Sequence, residues 1–553
     1  MAQTILDKIL KDLNAGRFVA AQKRVRAAAK KEPMNAPLQN LAGLCFARAG
    51  QHRAATGFFA VAAKLLPQEL DYRVNYVQSL VMSGEVRRAE SEIARAELLF
   101  PNVLKLLYLR GLAKLQGGDF HAAIRAANAA LERAPNYEDA LNVRGQAYSG
   151  LSEAEKSLAD FNKIVTLNPD YLDARINACD RLLELSRFVD ARAGFEAVLA
   201  RDPVNAYALS KLALLKDAST LGEIVAVAES EIAKVPKDSV RRVLLHMAMA
   251  NAFDRQGEKA KAMAHLNDAH ALDARRRPYT TAEAWAEQRK IKALFEDDAP
   301  SPPLIALEET PCPLFVVGLP RSGTTLVEMI LSAHPSVASM GELVAAERHF
   351  RLIFDGITTV EQSHVDAFAQ GYRDDLGALP ANASHFVDKM PANYRYIPLI
   401  LAAFPNARVI DVRRDPRDVA LSMWRQRFPM AGMNFASKMA NIADQANLYR
   451  TYMADWQRAY PIKILSIDYE ALVEDHCHFA HSIALHCGLE WHEAMSRPED
   501  NRALVRTASV HQVRQRVHNR SVGNWTVLGD NLKVLEARLD PALWPELALG
   551  ANV

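Results

Sequence analysis

Prolines at positions 33, 67, 101, 135, 169 and 203 recur every 34 residues through the first part of the chain. Two more columns keep that period: Gly16, Gly50, Gly84, Gly118, Ser152 and Ser186, and, five residues later, Ala21, Ala55, Ala89, Ala123, Ser157 and Ala191. A unit of that length with helical apolar spacing holds two helices and a turn. Small side chains let the helices meet, glycine or serine suits the turn, and proline, which has no amide to donate, stops the second helix. One pair alone cannot bury its apolar face, so successive pairs must stack into a continuous core.

This pattern resembles the tetratricopeptide repeat, which implies an all-α solenoid over residues 1–276 with about seven helix pairs. Register lapses around Ala218 to Gly222 and returns at Gly257, with Ala262 in the small-residue column. Such a region serves either as a rigid spacer or as a concave surface for a peptide, a protein partner or a second protomer, because repeat architecture sets shape and leaves the ligand open.

At 553 residues the chain is too long for one ordinary domain. Its 67 basic and 65 acidic side chains leave a net charge of +2, which argues against a nucleic-acid-binding protein but permits a local basic pocket. The five cysteines, Cys45, Cys179, Cys312, Cys477 and Cys487, are scattered and form no CxxC pair, as expected of reduced thiols in a cytoplasmic protein. No run approaches the roughly 18 apolar residues of a membrane span, so the chain reads as cytoplasmic and unanchored, with no membrane partner.

Residues 277–312 read as a linker, because the stretch from Glu296 to Pro313 is acidic and rich in proline. From residue 313 to 553 the pattern becomes α/β. The apolar runs LFVVGL, ARVIDV and IKILSID each lead into a turn and a helical pattern, as parallel strands covered on both faces do.

The first of these runs continues as VVGLPRSGTTL, Val316 to Leu326. Gly318 and Gly323 keep the spacing of a nucleotide phosphate loop, but Thr324 stands where that loop carries lysine. The strand, turn and helix context still suits an anion: amides at the helix start, the hydroxyls of Ser322, Thr324 and Thr325, and the charge of Arg321 all converge there. Without the lysine, an ordinary ATPase or GTPase is disfavoured, and Asp411 lies too far inside its strand to serve a metal. A second anion pocket is suggested by RRDPRDVALSMWRQRF, where Arg414 at a strand end precedes Ser422 on a helix, and where Arg413, Arg417, Arg425 and Arg427 add positive charge.

Taken together, Val316 to Leu326 and Arg408 to Phe428 resemble the 5′ and 3′ phosphate-binding motifs of PAPS-dependent sulfotransferases, most closely the tyrosylprotein type and its fusions with tetratricopeptide repeats. The resemblance implies an α/β sulfotransferase domain with a parallel sheet, a PAPS co-substrate with PAP as product, and no required metal. It implies that Arg321 meets the bridging or sulfuryl oxygens, that Ser322, Gly323, Thr324 and Thr325 hold the 5′ phosphate, and that Arg414 and Ser422 hold the 3′ phosphate.

Sulfuryl transfer to a hydroxyl also needs a base. His334, Pro335, Gly341 and Glu342 reproduce the order in which the tyrosylprotein-type group carries its glutamate, so Glu342 is the candidate, against the plainer reading of a carboxylate at a helix start. Glu347, His349 and His385 are weaker candidates. Lys389 resembles a family lysine that offsets charge at the transferred group, and Tyr469 a tyrosine beside the nucleotide. A closing segment with Ser509, Arg514, Arg516, Arg520 and Gly523 loosely resembles the family's own, but its second glycine is absent and its spacing compressed; Arg520 is its candidate ligand.

The tract EDHCHFAHSIALHCG offers Cys477 and His481 four residues apart but no recognised zinc spacing, so no metal is assigned. The acceptor is open, with a peptide or protein mildly favoured. Two rivals stand beside the sulfotransferase reading: a phosphate-loop kinase or nucleoside triphosphatase, and a non-enzymatic repeat scaffold with a nucleotide-binding domain.

Overall fold

The computed structural model describes residues 2–151, 153–295, 311–377, 379–428, 432–501 and 516–547. Two compact units emerge, Met1–Asn177 and Ala178–Val553.

The first unit is built from helix pairs such as Phe18–Lys31 after Ala2–Asn14 and His52–Leu65 after Ala36–Ala47. Its periodic columns acquire concrete roles. Gly16, Gly50, Gly84 and Gly118 sit in the left-handed region at φ 70 to 78°, a conformation that costs most residues about 1–2 kcal/mol and glycine almost nothing. Ser186, in the same column of the second unit, adopts φ 59°; Ser152 lies outside the described residues. Ala21, Ala55, Ala89, Ala123 and Ser157 are all completely buried. Each periodic proline follows its helix by two residues, as Pro67 follows Leu65.

The second unit starts with helices of the same kind, then changes. Where register lapses, a short pair, Ala206–Leu215 and Gly222–Ile232, is interrupted by a 3₁₀ turn at Ala218–Thr220. A regular pair, Val240–Arg255 and Lys259–Arg276, follows. The stretch expected to be a linker carries a helix, Thr281–Leu294. Ile291 and Leu294 of this helix are buried, Thr281 donates to Asp444 at 3.1 Å and Lys292 pairs with Asp455 at 3.2 Å, so the helix lies on Met439–Ala459. Residues 296–310 lie outside the described residues.

Five strands form one parallel sheet: β1 (Cys312–Gly318), β2 (Val337–Ser339), β3 (His385–Asp388), β4 (Arg408–Arg413) and β5 (Ile464–Asp468), in the order β2-β3-β1-β4-β5. Alternation along β1 divides its side chains between two cores. Leu314 and Val316 pack with Val327, Ile330 and Ile483 on one face. Phe315 and Val317 face Phe368, Tyr372 and Trp424, and this second core continues into Leu266, Ala269 and Leu272 of the last helix pair. The chain leaves central β1 for β2 on one side and later reaches β4 on the other, so a crevice opens at the carboxyl ends of the strands beside β1, where open α/β sheets bind ligands.

Candidate functional site

The loop after β1 is shaped by three residues with constrained backbones. A side chain at Gly318 would sit 2.6 Å from the Val412 carbonyl oxygen of β4, and one at Gly323 would sit 2.2 Å from the ring of Tyr469. Arg321 holds φ 73° although it is not glycine, a strain of about 1–2 kcal/mol that the surrounding contacts must outweigh. The helix Thr324–Ser332 starts at the loop, and the first turn of a helix presents amide donors that have no intrahelical acceptor. Ser322, Thr324 and Thr325 are all buried, and the Ser322 hydroxyl oxygen has no hydrogen-bond partner among the described residues. A buried hydroxyl left in that state suits an anion seated in the loop.

The second motif meets this loop directly. Arg321 Nε donates to Ser422 Oγ at 2.9 Å, and Arg414 Nη1 donates to the Arg321 carbonyl at 3.0 Å. The Arg414 guanidinium lies 4.5 Å from the centre of the Tyr469 ring, a cation–π contact. Burial, and then the neighbouring Arg414, pull the Arg321 guanidinium down to about 10, so it remains charged at neutral pH. Arg321, Ser422, Arg414 and Tyr469 thus form one cluster, with Arg321 bridging the two motifs instead of standing apart in the first.

From the closing segment, Ser521 reaches this cluster. Its carbonyl accepts from Arg414 Nη2 at 2.6 Å, and its hydroxyl lies 3.1 Å from the Tyr469 hydroxyl. Arg520 is exposed, and its carbonyl accepts from Asn524. Gly523 donates its amide to Asp418 at 2.7 Å. Arg516 is exposed, while Ser509 and Arg514 lie outside the described residues.

The other arginines of the second motif are engaged elsewhere. Arg413 bonds to Asp411 and Ser466, Arg417 to Asp415, Arg425 to Asp254 and Arg427 to Asp273. Their charge is matched locally, so the positive field expected of them reduces to Arg414 and Arg321. Asp411 is buried inside the sheet and accepts from Tyr449, Gln457 and Ser466.

Across the crevice, Lys389 is almost fully buried, and its Nζ lies 2.5 Å from Glu342 Oε1 and 3.6 Å from Glu328 Oε2. Glu342 keeps about a quarter of its side chain exposed, and it lies close enough to Arg321 to affect that guanidinium. Glu328 is buried on the loop helix, where burial pushes its carboxyl up despite Lys389, and it accepts from Ser339 at 2.8 Å. Behind them Asp388 accepts from Tyr372 and Asn393, and burial raises it to about 7.

Glu328, Ser521 and Asp388 are the members that sequence reasoning missed. Glu328 left one signal: it is the single charged residue on the helix TTLVEMILS. Glu347 pairs with Arg351, and His349 with Asp375 at 2.9 Å. His385 begins β3 and pairs in register with Cys312, the first residue of β1, at the end of the sheet away from the loop. In the Cys477 tract the imidazoles turn to backbone: His476 to Ser496, His481 to Cys477 and His486 to Val409 carbonyls.

Residues 313–493 match the sulfotransferase family, and residues 6–69 and 108–171 match the tetratricopeptide repeat. The chain therefore joins a tetratricopeptide-repeat region to a sulfotransferase-family domain. An uncharacterized protein of Aquifex aeolicus (strain VF5) is 33% identical over 38% of this chain and 30% of its own length. A putative protein-tyrosine sulfotransferase of Caenorhabditis briggsae is 31% identical over 29% of this chain and 60% of its own. The chain thus spans about a third to three fifths of the length of these curated relatives. Among solved structures, the sulfotransferase domain of the Synechococcus PCC 7002 olefin synthase aligns at 18% identity over 44% of this chain and 96% of its own, with a TM-score of 0.29. Among the described residues, no helix is long and apolar enough to cross a membrane.

Proposed function

We propose that the domain transfers a sulfuryl group from PAPS to an acceptor hydroxyl, with a tyrosine of a peptide or protein as the favoured acceptor. The observation that carries this reading is the junction of Arg321, Ser422 and Arg414, which joins a lysine-free phosphate loop to a second cationic pocket. A donor with phosphates at both ends of its nucleoside requires that pairing. In this assignment Ser322, Gly323, Thr324 and Thr325 hold the 5′ phosphosulfate, Arg414 and Ser422 hold the 3′ phosphate, and Tyr469 lies beside the nucleotide. Arg520 becomes a ligand only if its side chain turns inward when the closing segment seats.

The transfer assigns a task to each group in the crevice. The acceptor oxygen forms its bond to sulfur as the bond from sulfur to the 5′ phosphate oxygen breaks, and Glu342 takes the acceptor proton. Lys389 and Arg321 offset the charge that develops on the sulfuryl and leaving oxygens. Glu342 cannot act as base while it is held fully by Lys389, so the lysine must turn toward the leaving oxygen. Glu328 then remains as its buried counter-ion. The protein-tyrosine acceptor draws support from the relative named a putative protein-tyrosine sulfotransferase and from repeats able to bind an extended chain.

Thermal denaturation tests the donor. PAP should raise the midpoint by several degrees without any metal, and ATP with magnesium should not; the reverse pattern would replace this reading with a phosphate-loop kinase or triphosphatase.

A further inference from the structure

Away from the crevice, the last helix pair carries three ligand-type side chains turned toward one point. His246 lies on Val240–Arg255, and His265 and Asp268 lie three residues apart on Lys259–Arg276, so the latter two share a face. His246 Nδ1 is 3.1 Å from His265 Nδ1 and 3.8 Å from Asp268 Oδ2, and the three ligand atoms lie within 4.8 Å of one another. Around a tetrahedral ion with bonds of about 2.0–2.1 Å, neighbouring ligand atoms stand about 3.3 Å apart. The observed distances bracket that value.

We propose that His246, His265 and Asp268 bind a divalent transition metal of the zinc class, clipping together the two helices of the last pair. Imidazole and carboxylate are the donors such ions take, and three protein ligands leave a fourth position for water.

Further features support the assignment. Two imidazoles that face each other through the same nitrogen can share one proton, whereas a cation uses both lone pairs. The His265 ring is fixed by stacking on Phe253 at 5.6 Å with planes 10° apart, so the nitrogen is aimed before any ion arrives. Asp268 has 64% of its side chain exposed, which gives an ion a route in and supplies negative charge. Arg242 faces His246 and opposes a cation, while Glu229 faces His265 and favours one. Among the described residues this is the only such cluster, and it stands independently of the sulfuryl-transfer reading.

Cobalt(II) provides the test on full-length protein freed of metal by a chelator. One equivalent should bind at micromolar concentration or tighter and give the visible absorption of a tetrahedral nitrogen–oxygen site. His246→Ala and His265→Gln should each abolish that signal, and Asp268→Asn should weaken binding at least about tenfold. Because His246 is buried, His265→Gln, checked for unchanged helical circular dichroism, carries the decision if His246→Ala fails to fold. A Cys477→Ser/His481→Ala variant should bind as the parent does. The proposal is overturned if no stoichiometric cobalt binds, if the signal survives His265→Gln, or if it vanishes with the Cys477 and His481 changes instead.

Discussion

Helix pairs in the first unit and the last pair, Val240–Arg276, follow one repeat rule but use their surfaces differently. In the first unit, alanines and aromatics of neighbouring pairs fill a common core, as with Ala21, Ala55, Phe46, Phe59 and Leu80. In the last pair, Leu266, Ala269 and Leu272 enter the core of the α/β domain, and the polar residues between them hold the helix Pro416–Trp424. Asn267 accepts from Trp424 Nε1 at 3.0 Å, and His270 lies against the Trp424 ring at 3.9 Å with its Nε2 2.7 Å from the Trp424 carbonyl. A carbonyl only accepts, so Nε2 carries the proton. Asp273 holds both Arg277 and Arg427. The helix so held also carries Ser422, two residues before the tryptophan. The last pair thus supports an element of the candidate site through the helix Pro416–Trp424, whereas the helices of the first unit fill a core of their own.

The comparison can be broken or sharpened by substitution. The largest effect belongs in the crevice: Glu342→Gln should lower kcat by about 10²–10⁴-fold, the usual worth of a positioned base, while PAP affinity persists. Undiminished turnover would remove Glu342 as the base. Next comes Arg414→Ala, which should weaken PAP by roughly 10–100-fold, as loss of a charge-assisted contact does. A nucleotide without the 3′ phosphate should lose far less, and equal losses would refute the two-pocket assignment.

At the boundary repeat the effect should be smaller and pH-dependent. His270 is neutral when folded, because burial lowers it to about 4 from an ordinary value near 6.5. The unfolded chain therefore binds the extra proton first as pH falls, and stability present above pH 6.5 should be lost between about 6.5 and 4, by roughly 3 kcal/mol at most. Denaturant titrations across that window should show a shallower acid loss for His270→Asn, and its PAP affinity should fall severalfold through Ser422. The smallest functional effect should come from the interior repeats. Ala89→Leu overfills a fully buried position and should cost about 1–3 kcal/mol in stability with kcat unchanged. A drop in kcat for folded Ala89→Leu would show that interior repeats also reach the site.

How much of this was legible beforehand varied with the range of the interaction. β1, β4 and β5 could be read because each lies in a run dominated by apolar and β-branched residues; β3, only four residues long, could not. The helix Thr281–Leu294 was hidden by the proline-rich stretch after it. The loop and Arg414 announced themselves by local spacing. Ser521 did not, because it reaches Arg414 from 107 residues further on and does so partly through its backbone carbonyl, which has no side-chain signature.

By itself the sequence determined what depends on short range and period: the 34-residue helix pairs, their left-handed glycine turns, the strand-to-helix loop and the residue types that surround it. Tertiary structure alone decided which arginines were left for an anion, since each charge is matched or not by carboxylates brought from distant segments. It also decided that Lys389 sits between two glutamates and that Asp273, on a repeat helix, holds Arg427 of the α/β domain. Desolvation makes such pairings decisive: a charge buried without its partner costs several kcal/mol, and local sequence does not reveal which groups the fold will bury together.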